Sequence, residues 1–549
     1  MSETRSAESR APAVEGPLVI IGAGPAGLTA AWEQARHGGV ATVLERDAVV
    51  GGIARTVVHS GYRFDIGGHR FFTKVKEVED LWHEVLTEDF IRVPRESRIL
   101  YRGKFFSYPL KPLEAFLGLG PVESLRCFAS YVAARLSPHL PEDDFETWVS
   151  NRFGRRLFEI FFKTYTEKVW GVPCTHIKAE WAAQRIRGLS LWKALLQAFR
   201  KDTSIKTLID AFDYPRLGPG QMWEAFQRNL EKRGSKVLLE RPVSSIPWEK
   251  GRGVLAVETR GPHGPEVHAG AAFISSMAIS ELVAALDPPP PAEVLEAAGR
   301  LRYRDFILVA LMFEGEGFFS DNWVYVHSPE IRIGRIQNFN NWSKDMVPRP
   351  GVTCLGLEYF CFDTDPIWSL PDPELVELGR SEVSRTGLVP AGSRVLDGAV
   401  VRMRKTYPMY DPGYREFAAA GPVVMEGRDI GTATIFQDDV RISTNVLNAD
   451  GTRALGSRAS EDVYDVVVGR GEPFIGRAFV VNDWYITAYE PIRSIEDEVI
   501  GMLYVGVLEE RYTDIRRRAV VALAGIMALG AIASMVLSWV AARRFTASL

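Results

Sequence analysis

A glycine-rich segment near the N-terminus constrains the fold of this chain most strongly. An apolar run, Leu18–Ile21, leads into glycines at G-x-G-x-x-G spacing, which are followed by a helical pattern and a second apolar strand ending at Glu45. The three glycines are Gly22, Gly24 and Gly27. In such a unit the first glycine permits a tight turn, the second lets the backbone approach a diphosphate, and the third allows close helix–strand packing. The segment therefore predicts a Rossmann-like α/β domain that binds a dinucleotide.

The predicted phosphate contacts lie in the turn and in the first helical turn. They are Gly22, Ala23, Gly24, Pro25, Ala26 and Gly27. The N–H groups and the positive end of the helix attract phosphate oxygens. Glu45 can accept hydrogen bonds from the adenosine ribose, and Arg46 beside it is a further candidate contact. A glycine turn alone is a weak signal, but the whole strand–glycine–helix–strand–acid unit indicates a dinucleotide site.

Two later segments resemble the second and third glycine motifs of a large FAD-dependent family. They are Gly51-Gly52-Ile53-Ala54-Arg55-Thr56 and Phe64-Asp65-Ile66-Gly67-Gly68-His69-Arg70-Phe71-Phe72. The family includes flavin amine oxidases, protoporphyrinogen oxidases and UDP-galactopyranose mutases. The resemblance implies FAD, with the glycine pairs 51–52 and 67–68 letting backbone approach the cofactor and Arg55 adding a cation beside the phosphates.

The same resemblance implies roles for three further residues. Val243 occupies the place where the family's backbone contacts the adenine. His69 and Arg70 follow the turn that lies beside the isoalloxazine, so they are the candidate catalytic residues. No cysteine or histidine lies in a recognised flavin-attachment motif, which predicts noncovalent FAD.

Composition excludes several other classes of function. The net charge is −4 and the basic residues are scattered, so no nucleic-acid surface is expected. The cysteines form no CxxC pair, which favours reduced thiols in a cytoplasmic enzyme; they are Cys127, Cys174, Cys354 and Cys361. No metal site is expected. Residues 1–16 are polar and predict a disordered arm without a secretory signal.

Residues 17–417 are predicted to form discontinuous FAD-binding and substrate domains, the latter mixed α+β. Helices are expected over 74–90, 112–137 and much of 145–199, and a hairpin over Arg98 to Leu110. Strands are expected over 237–239, 254–259 and 267–275. Short strands over 306–362 indicate a second, mostly antiparallel sheet.

The segment Lys163-Thr164-Tyr165-Thr166-Glu167-Lys168-Val169-Trp170 resembles the K-x-Y-T-x-K-x-W segment of UDP-galactopyranose mutases, and Tyr108-Pro109 resembles a Y-P of their substrate region. In those enzymes such aromatics pack against the nucleotide of a sugar nucleotide. The resemblance implies substrate contacts by Tyr108, Tyr165, Trp170 and Arg185. The mutases carry two arginines four residues apart, whereas Leu189 follows Arg185 here. Recognition of a diphosphate sugar therefore stays open.

The chain departs from the flavoprotein pattern at about Phe417, where the family's closing flavin segment normally begins. Residues 421–510 instead resemble a Cache module, a PAS-like antiparallel α+β ligand-sensing fold, and a domain over 418–515 is predicted. The stretch Trp484–Tyr489 could line a ligand pocket or form a plain core strand. The match covers only the later part of a usual Cache domain.

The last predicted element is a single transmembrane helix over residues 519–542. These 24 residues carry no charge. At 1.5 Å per residue they span about 36 Å, enough for a hydrocarbon core of ~30 Å. Arginines flank both ends, at 516–518 and 543–544. The larger number on the N-terminal side favours a tail anchor with cytoplasmic flavin domain, although Cache modules usually lie outside the membrane.

Three functions of different classes agree with the sequence. The first is a FAD-dependent oxidoreductase that transfers a hydride from an unidentified small molecule to the flavin. The second is a mutase-like isomerase of a sugar nucleotide, in which reduced flavin is the nucleophile and no net redox change occurs. The third is a membrane-anchored Cache ligand sensor with a degenerate flavin domain. The oligomeric state stays open.

Overall fold

The computed structural model describes residues 16–73, 75–87, 89–179, 211–249, 252–409, 432–437, 440–444, 458–481, 483–493 and 499–508. The chain divides into two compact units, Met1–Gly421 and Pro422–Leu549. The predicted N-terminal arm except Gly16, the substrate candidate Arg185 and the predicted membrane span 519–542 lie outside the described residues. Among the helices of the described residues, none combines the length and apolar character needed to cross a membrane.

Helices and strands are numbered in chain order. The α-helices are α1 Pro25–Arg36, α2 Lys76–Leu86, α3 Pro112–Leu119, α4 Pro121–Leu136, α5 Phe145–Phe153, α6 Arg155–Phe158, α7 Thr164–Trp170, α8 Gly220–Lys232, α9 Ile279–Ala284, α10 Ala292–Gly299, α11 Asp372–Ser384 and α12 Glu461–Tyr464. The strands of the first unit are β1 Leu18–Ile21, β2 Ala41–Leu44, β3 Thr56–His59, β4 Tyr62–Asp65, β5 Phe90–Pro94, β6 Ser97–Tyr101, β7 Lys104–Ser107, β8 Ala211–Pro215, β9 Lys236–Leu238, β10 Val243–Glu249, β11 Gly253–Val254, β12 Ala256–Gly261, β13 Gly264–Ala269, β14 Ala272–Ser275, β15 Leu286–Asp287, β16 Tyr303–Glu314, β17 Trp323–Val326, β18 Arg335–Asn338, β19 Val352–Cys361 and β20 Val395–Pro408. Those of the second unit are β21 Thr432–Gln437, β22 Val440–Thr444, β23 Phe474–Val480, β24 Asp483–Arg493 and β25 Val499–Leu508.

The first sheet is parallel and has the strand order β14-β1-β2-β9. Strand β1 is buried along its whole length, because helices cover a parallel sheet on its faces. Trp32 of α1 packs edge-on against Phe226 of α8, with 5.5 Å between the ring centroids. These elements confirm the predicted Rossmann-like strand–helix–strand unit, and β14 returns the chain to this sheet beside β1.

The second large sheet has the order β20-β16-β19-β18-β17-β6-β7. Its pairs are antiparallel except β17 with β6, which run parallel. The long strand β16 is almost wholly buried, and Leu308 and Leu311 are fully buried in the two clusters on opposite faces. The predicted mostly antiparallel sheet and the hairpin β6–β7 are confirmed.

Two predicted segments have the predicted secondary structure but are each divided in two. Residues 112–137 form two helices rather than one, because Gly120 takes a φ of +85° and Pro121 starts the next helix. Residues 267–275 form two strands, β13 and β14, which belong to different sheets. The predicted helices over 180–199 lie outside the described residues.

The second unit contains an antiparallel five-stranded sheet with the order β22-β21-β25-β24-β23. Within Trp484–Tyr489, Tyr485 and Tyr489 are buried in its core. The rings of Tyr489 and Tyr504 lie 4.8 Å apart. These two side chains thus belong to a core strand, which is one of the two interpretations of Trp484–Tyr489 that the sequence allows.

Candidate flavin and substrate site

The first glycine turn is packed so tightly that two of its positions admit only glycine. Gly22 has a φ of +99°, and a Cβ there would lie 2.3 Å from Oγ of Ser276. A Cβ on Gly27 would lie 1.9 Å from the carbonyl oxygen of Gly22. Helix α1 therefore rests directly on the backbone of the turn, as the G-x-G-x-x-G spacing predicts.

Ala23 connects the glycine turn to two other predicted cofactor segments. Its N–H donates to Oε2 of Glu45 at 2.8 Å, and its carbonyl accepts from the N–H of Gly51 at 2.8 Å. The other carboxylate oxygen of Glu45 accepts from the N–H of Asp47 at 3.0 Å. Glu45 is thus held in place at the end of β2, where the sequence predicts the ribose contact.

The backbones of Gly24 and Gly52 lie close together at the start of α1, and we name the side-chain-free surface beside them the cradle. A Cβ on Gly52 would lie 3.4 Å from Cα of Gly24, and one on Gly24 would lie 4.0 Å from Cα of Gly52. Gly24 is the N-cap of α1, and no side chain caps this helix. Its first N–H groups therefore remain open to phosphate oxygens. Pro25 has no N–H, so the donors of this turn are Ala26 and Gly27. The cradle fits FAD.

Three charged or apolar candidates border this cradle. Arg55 pairs with Asp47 through an Nη1–Oδ2 contact of 2.5 Å. Arg46 is half exposed and lies 3.4 Å from Glu281. Val243 begins β10 and packs against the cluster that contains Val19 and Ile21 of β1 and Leu44 of β2. All three predicted contacts thus lie on elements that surround the end of the parallel sheet.

The second glycine pair forms a turn against the large sheet. Gly67 has a φ of +83°, and a Cβ on it would lie 3.7 Å from Nη2 of Arg335. A Cβ on Gly68 would lie 3.3 Å from Cη2 of Trp342. Nδ1 of His69 lies 3.2 Å from the carbonyl oxygen of Gly67, which orients the imidazole toward its own turn. The turn therefore leaves no room for a side chain on the face of Gly68.

Aromatic rings extend from this turn in a cluster that we name the aromatic cleft, made of the buried Trp323 and Trp342 and the more exposed Tyr108, Tyr165 and Tyr325. Trp342 stacks on Trp323 with 5.5 Å between centroids. Tyr325 contacts both predicted substrate residues, Tyr108 at 4.9 Å and Tyr165 at 5.3 Å. The fold thus brings Tyr108 and Tyr165 together, although they are far apart in sequence.

Three guanidinium groups lie at the aromatic cleft. Cζ of Arg70 lies 5.3 Å from the centroid of Trp323, and Cζ of Arg95 lies 5.4 Å from that of Tyr108. Arg335 is paired with the buried Glu358, whose oxygens both accept from its Nε at 2.8 Å. Neither Arg70 nor Arg95 has a carboxylate partner among the described residues, and Nε of Arg95 is buried without a hydrogen-bond partner there.

The electrostatics of the aromatic cleft reflect this unpaired charge. Desolvation by the surrounding protein, with the positive charges of Arg95 and Arg335, lowers the pKa of the Arg70 guanidinium, although its side chain is partly exposed. Tyr108 is 39% exposed, yet protein atoms surround it closely enough that desolvation raises the pKa of its phenol to about 12. The tyrosine is therefore a neutral hydrogen-bonding group, and the cleft carries a surplus of positive charge.

Trp170 occupies a different place from the two tyrosines. It packs, partly buried, in the helical cluster of Phe145, Val149 and Phe158. Lys168 of the same segment donates to the carbonyl oxygens of Val326 and Ser328, both at 2.8 Å, and so ties α7 to the end of β17. The segment thereby positions Tyr165 at the cleft. The substrate role of Trp170 stays a prediction.

A buried carboxyl group supports the Gly67–Gly68 turn from behind. Asp65 ends β4, and the Tyr214 hydroxyl and the Thr56 hydroxyl donate to its two carboxyl oxygens. Burial raises the pKa of Asp65 to about 8. Asp65 is therefore protonated at neutral pH and acts as part of a buried hydrogen-bonded group.

Within the part of the chain that the structure describes, one cluster outside this site could hold a metal ion. Glu79, His83 and Asp213 place three ligand atoms within 4.8 Å of one another. Asp213 is already paired with Arg92 at 2.9 Å, and Glu79 and His83 are exposed. The arrangement therefore supplies no closed coordination shell.

Sequence reasoning missed Arg95, Trp323, Tyr325 and Arg335. Trp323 and Tyr325 alternate along β17, and this i, i+2 spacing places them on the same side of the sheet. That alternation was the only signal available for them. The short strands predicted over 306–362 contain Trp323, Tyr325 and Arg335 but carry no predicted role in the site, and Arg95 lies outside the predicted elements.

Comparison with known proteins identifies the family and the fold of this chain. The sequence profile described as "Flavin containing amine oxidoreductase" matches residues 25–418, and that described as "Single cache domain 3" matches residues 423–519. The fold is similar to that of reduced UDP-galactopyranose mutase, with 21% identity over 73% of this chain and 86% of that chain and a TM-score of 0.64.

Two further solved structures share the fold. A putative protoporphyrinogen oxidase from Exiguobacterium sp. 255-15 has 18% identity over 74% of this chain and 90% of its own, with a TM-score of 0.57. An oxidoreductase from Methanosarcina mazei has 16% identity over 70% and 88%, with a TM-score of 0.51. With the family profile and the FAD cradle, these findings show that the chain belongs to the flavin containing amine oxidoreductase family and is a FAD-dependent oxidoreductase.

Proposed function

We propose that this oxidoreductase removes a hydride from a small organic anion that binds in the aromatic cleft. The observation that carries the proposal is the pair of guanidiniums, Arg70 and Arg95, without carboxylate partners among the described residues. Unpaired cations beside aromatic rings are a favourable environment for an anionic group attached to a flat or apolar body. Such a substrate would neutralise the surplus charge of the cleft.

Bound FAD would supply the acceptor for the hydride, and the chain supplies position and polarity. Arg70 immediately follows the Gly67–His69 turn, so an anion on its guanidinium is held next to that turn. Tyr108 and Tyr325 form a wall of the cleft, with 4.9 Å between their ring centroids. His69 is the candidate that contacts the reacting flavin. We assign no proton transfer to it, because orientation alone is a sufficient role.

The test uses pyrophosphate as an anion probe and the flavin absorbance of the purified protein as the readout. Arg95→Ala should raise the dissociation constant of pyrophosphate about 10- to 100-fold, because a charge-assisted hydrogen bond contributes about 1.5–3 kcal/mol. Arg92→Ala is the matched control, since Arg92 lies on the neighbouring strand β5, is exposed and is already paired with Asp213. Equal affinities in both variants would exclude an anion on Arg95.

The runner-up is an isomerase of a sugar nucleotide. The contact of Tyr165 and Tyr108 with a common ring, Tyr325, favours it, because both belong to segments that resemble those of the mutases. Anaerobic mixing with UDP-galactopyranose separates the two functions. An oxidoreductase that acts on UDP-galactopyranose would reduce the flavin and bleach its absorbance. An isomerase would change the ring form of the sugar only after dithionite has reduced the flavin, and the flavin would stay reduced.

A third proposal is a small-molecule sensor in the second unit, supported by the single cache domain match over residues 423–519. It predicts that the full chain binds a small ligand independently of the flavin site. Gly24→Val would then abolish flavin binding and leave binding of that ligand unchanged.

A further inference from the structure

Helices α3 and α4 expose an unusually large apolar surface. Leu136 is 81% exposed, Leu117 73% and Leu125 67%. The other members are Val122, Phe116, Phe128 and Val132. We name these seven residues the apolar face. No described residue covers it.

Helix α4 has one buried side and a separate exposed apolar side. It buries Ser124, Cys127 and Tyr131 against the protein. The exposed members on α4 recur at intervals of three or four residues, which places them on a second stripe. At 100° per residue this stripe spans an arc of about 120°, on a different side from the buried residues. The helix thus packs on the protein with one side and presents an apolar stripe on another.

The size of the apolar face exceeds what an isolated surface normally shows. From the exposed fractions and side-chain areas of ~150–200 Å² each, it presents on the order of 700 Å², whereas the largest patch of a typical soluble monomer is ~300–600 Å². Scattered exposed leucines need no explanation, but seven large apolar side chains exposed on two consecutive helices indicate an interaction surface.

The charges at its margins are mostly basic. Arg126 and Arg135 lie on opposite margins of the α4 stripe by helical position. Arg135 has no carboxylate partner among the described residues, and its Cζ lies 5.9 Å from the Tyr131 ring. Lys111, at the start of α3, is exposed. Arg126 is 3.6 Å from Glu123, but Glu123 also binds Arg156.

We propose that the apolar face docks on the surface of an anionic lipid bilayer. A helix with an apolar stripe between basic margins lies in the plane of a membrane interface, with its apolar side chains among the acyl chains and its cations at lipid phosphates. Each basic residue near an anionic surface adds attraction. A bilayer is also the partner that the sequence predicts for the uncharged residues 519–542. This inference is independent of the substrate proposal.

The test places a fluorophore on the apolar face of the full chain. The cysteines at 127, 174, 354 and 361 are buried, so a surface thiol reagent should label an introduced cysteine selectively. Leu125→Cys and the control Glu293→Cys, at an exposed position of α10, are labelled with bimane and reconstituted into phosphatidylcholine–phosphatidylglycerol vesicles. Flavin absorbance per protein verifies that both variants are folded.

Vesicles that contain a doxyl-labelled phosphatidylcholine should quench the label at position 125 by more than about half and leave the label at 293 unchanged. The label at position 293 also serves as a control for a membrane anchor elsewhere in the chain. Such an anchor would bring both labels near the vesicle and quench them equally. Equal quenching at both positions would overturn the proposal. No quenching at 125 would also overturn it, and shielding of that label from aqueous iodide would then identify a protein surface, in the same chain or a second copy, as the occupant.

Discussion

Gly24 and Gly52 face each other without side chains: a Cβ on Gly52 would lie 3.4 Å from Cα of Gly24. The two residues belong to different glycine motifs, and Ala23 and Gly51 beside them are joined by a hydrogen bond of 2.8 Å. This fixed contact leaves a surface without side chains at the start of α1, which is a preformed cradle for the FAD diphosphate. The cradle depends on the absence of atoms, so a substitution can fill it without disturbing the core.

The first prediction is that Gly24→Val abolishes FAD binding while the protein stays folded. A Cβ at position 24 meets Cα of Gly52 only at 4.0 Å, so the valine is accommodated but occupies the cradle. Released flavin measured by absorbance, with circular dichroism as the folding check, tests this. Gly299→Val is a control, because a Cβ at position 299 has no atom within 4 Å. Stoichiometric flavin in the Gly24 variant would contradict the assignment.

The second prediction is that His69→Ala slows flavin reduction with FAD still bound. The imidazole is held by its contact of 3.2 Å with the Gly67 carbonyl, so it lies at the turn predicted to face the flavin. Stopped-flow reduction by the substrate, compared at equal flavin content, gives the rate. His37→Ala provides a control, because His37 lies at the far end of α1. An unchanged rate of flavin reduction would show that His69 has only a structural role.

The third prediction concerns stability against pH at Asp65. Burial raises the pKa of its carboxyl from an ordinary 3.8 to about 8. Between these values the folded state holds more protons than the unfolded state, so the Asp65 contribution to stability is lost as pH rises from about 4 to about 8. Asp65→Asn mimics the protonated form and should flatten this part of the stability profile.

Urea unfolding between pH 5 and pH 9 measures the effect. Asp397→Asn is the matched control, because Asp397 is more exposed than Asp65. Desolvation raises the pKa of Asp397, but the Gly398 N–H and His59 stabilise its carboxylate, so that the pKa lies below the ordinary value. Its removal should leave the Asp65 slope in place. The same slope in wild type and Asp65→Asn would show that another group causes it.

The FAD cradle could be predicted from sequence because each of its parts is local. Gly22 and Gly27 are five residues apart, and Glu45 ends the next strand, so spacing alone positions them. The aromatic cleft could not be predicted in this way. Arg95 and Trp323 meet because β6 and β17 pair in parallel, with Ser97 opposite Trp323. Sequence patterns predict both strands but do not fix which strands become neighbours or in which register.

The fourth prediction is that limited proteolysis cuts the chain near residues 417–425. The chain divides into two compact units at Gly421–Pro422, and the flavoprotein profile ends at residue 418. Each unit has its own buried cluster, so neither needs the connecting residues for its core. Mass spectrometry of the fragments, with and without lipid, gives the cleavage position. Resistance of this segment under conditions that cut elsewhere would contradict the prediction.

The fifth prediction is that FAD is held more loosely than in complete relatives and is lost on dialysis. The family's closing segment normally contributes backbone hydrogen bonds to the flavin, and at Phe417 this sequence departs from that pattern. Loss of two or three hydrogen bonds at about 1 kcal/mol each weakens binding roughly 30- to 150-fold. Isothermal titration of the apoprotein with FAD measures the affinity, and Arg55→Ala should weaken it further because a cation beside the cradle is lost. FAD that survives exhaustive dialysis at full occupancy would show that other residues of this chain replace the missing contacts.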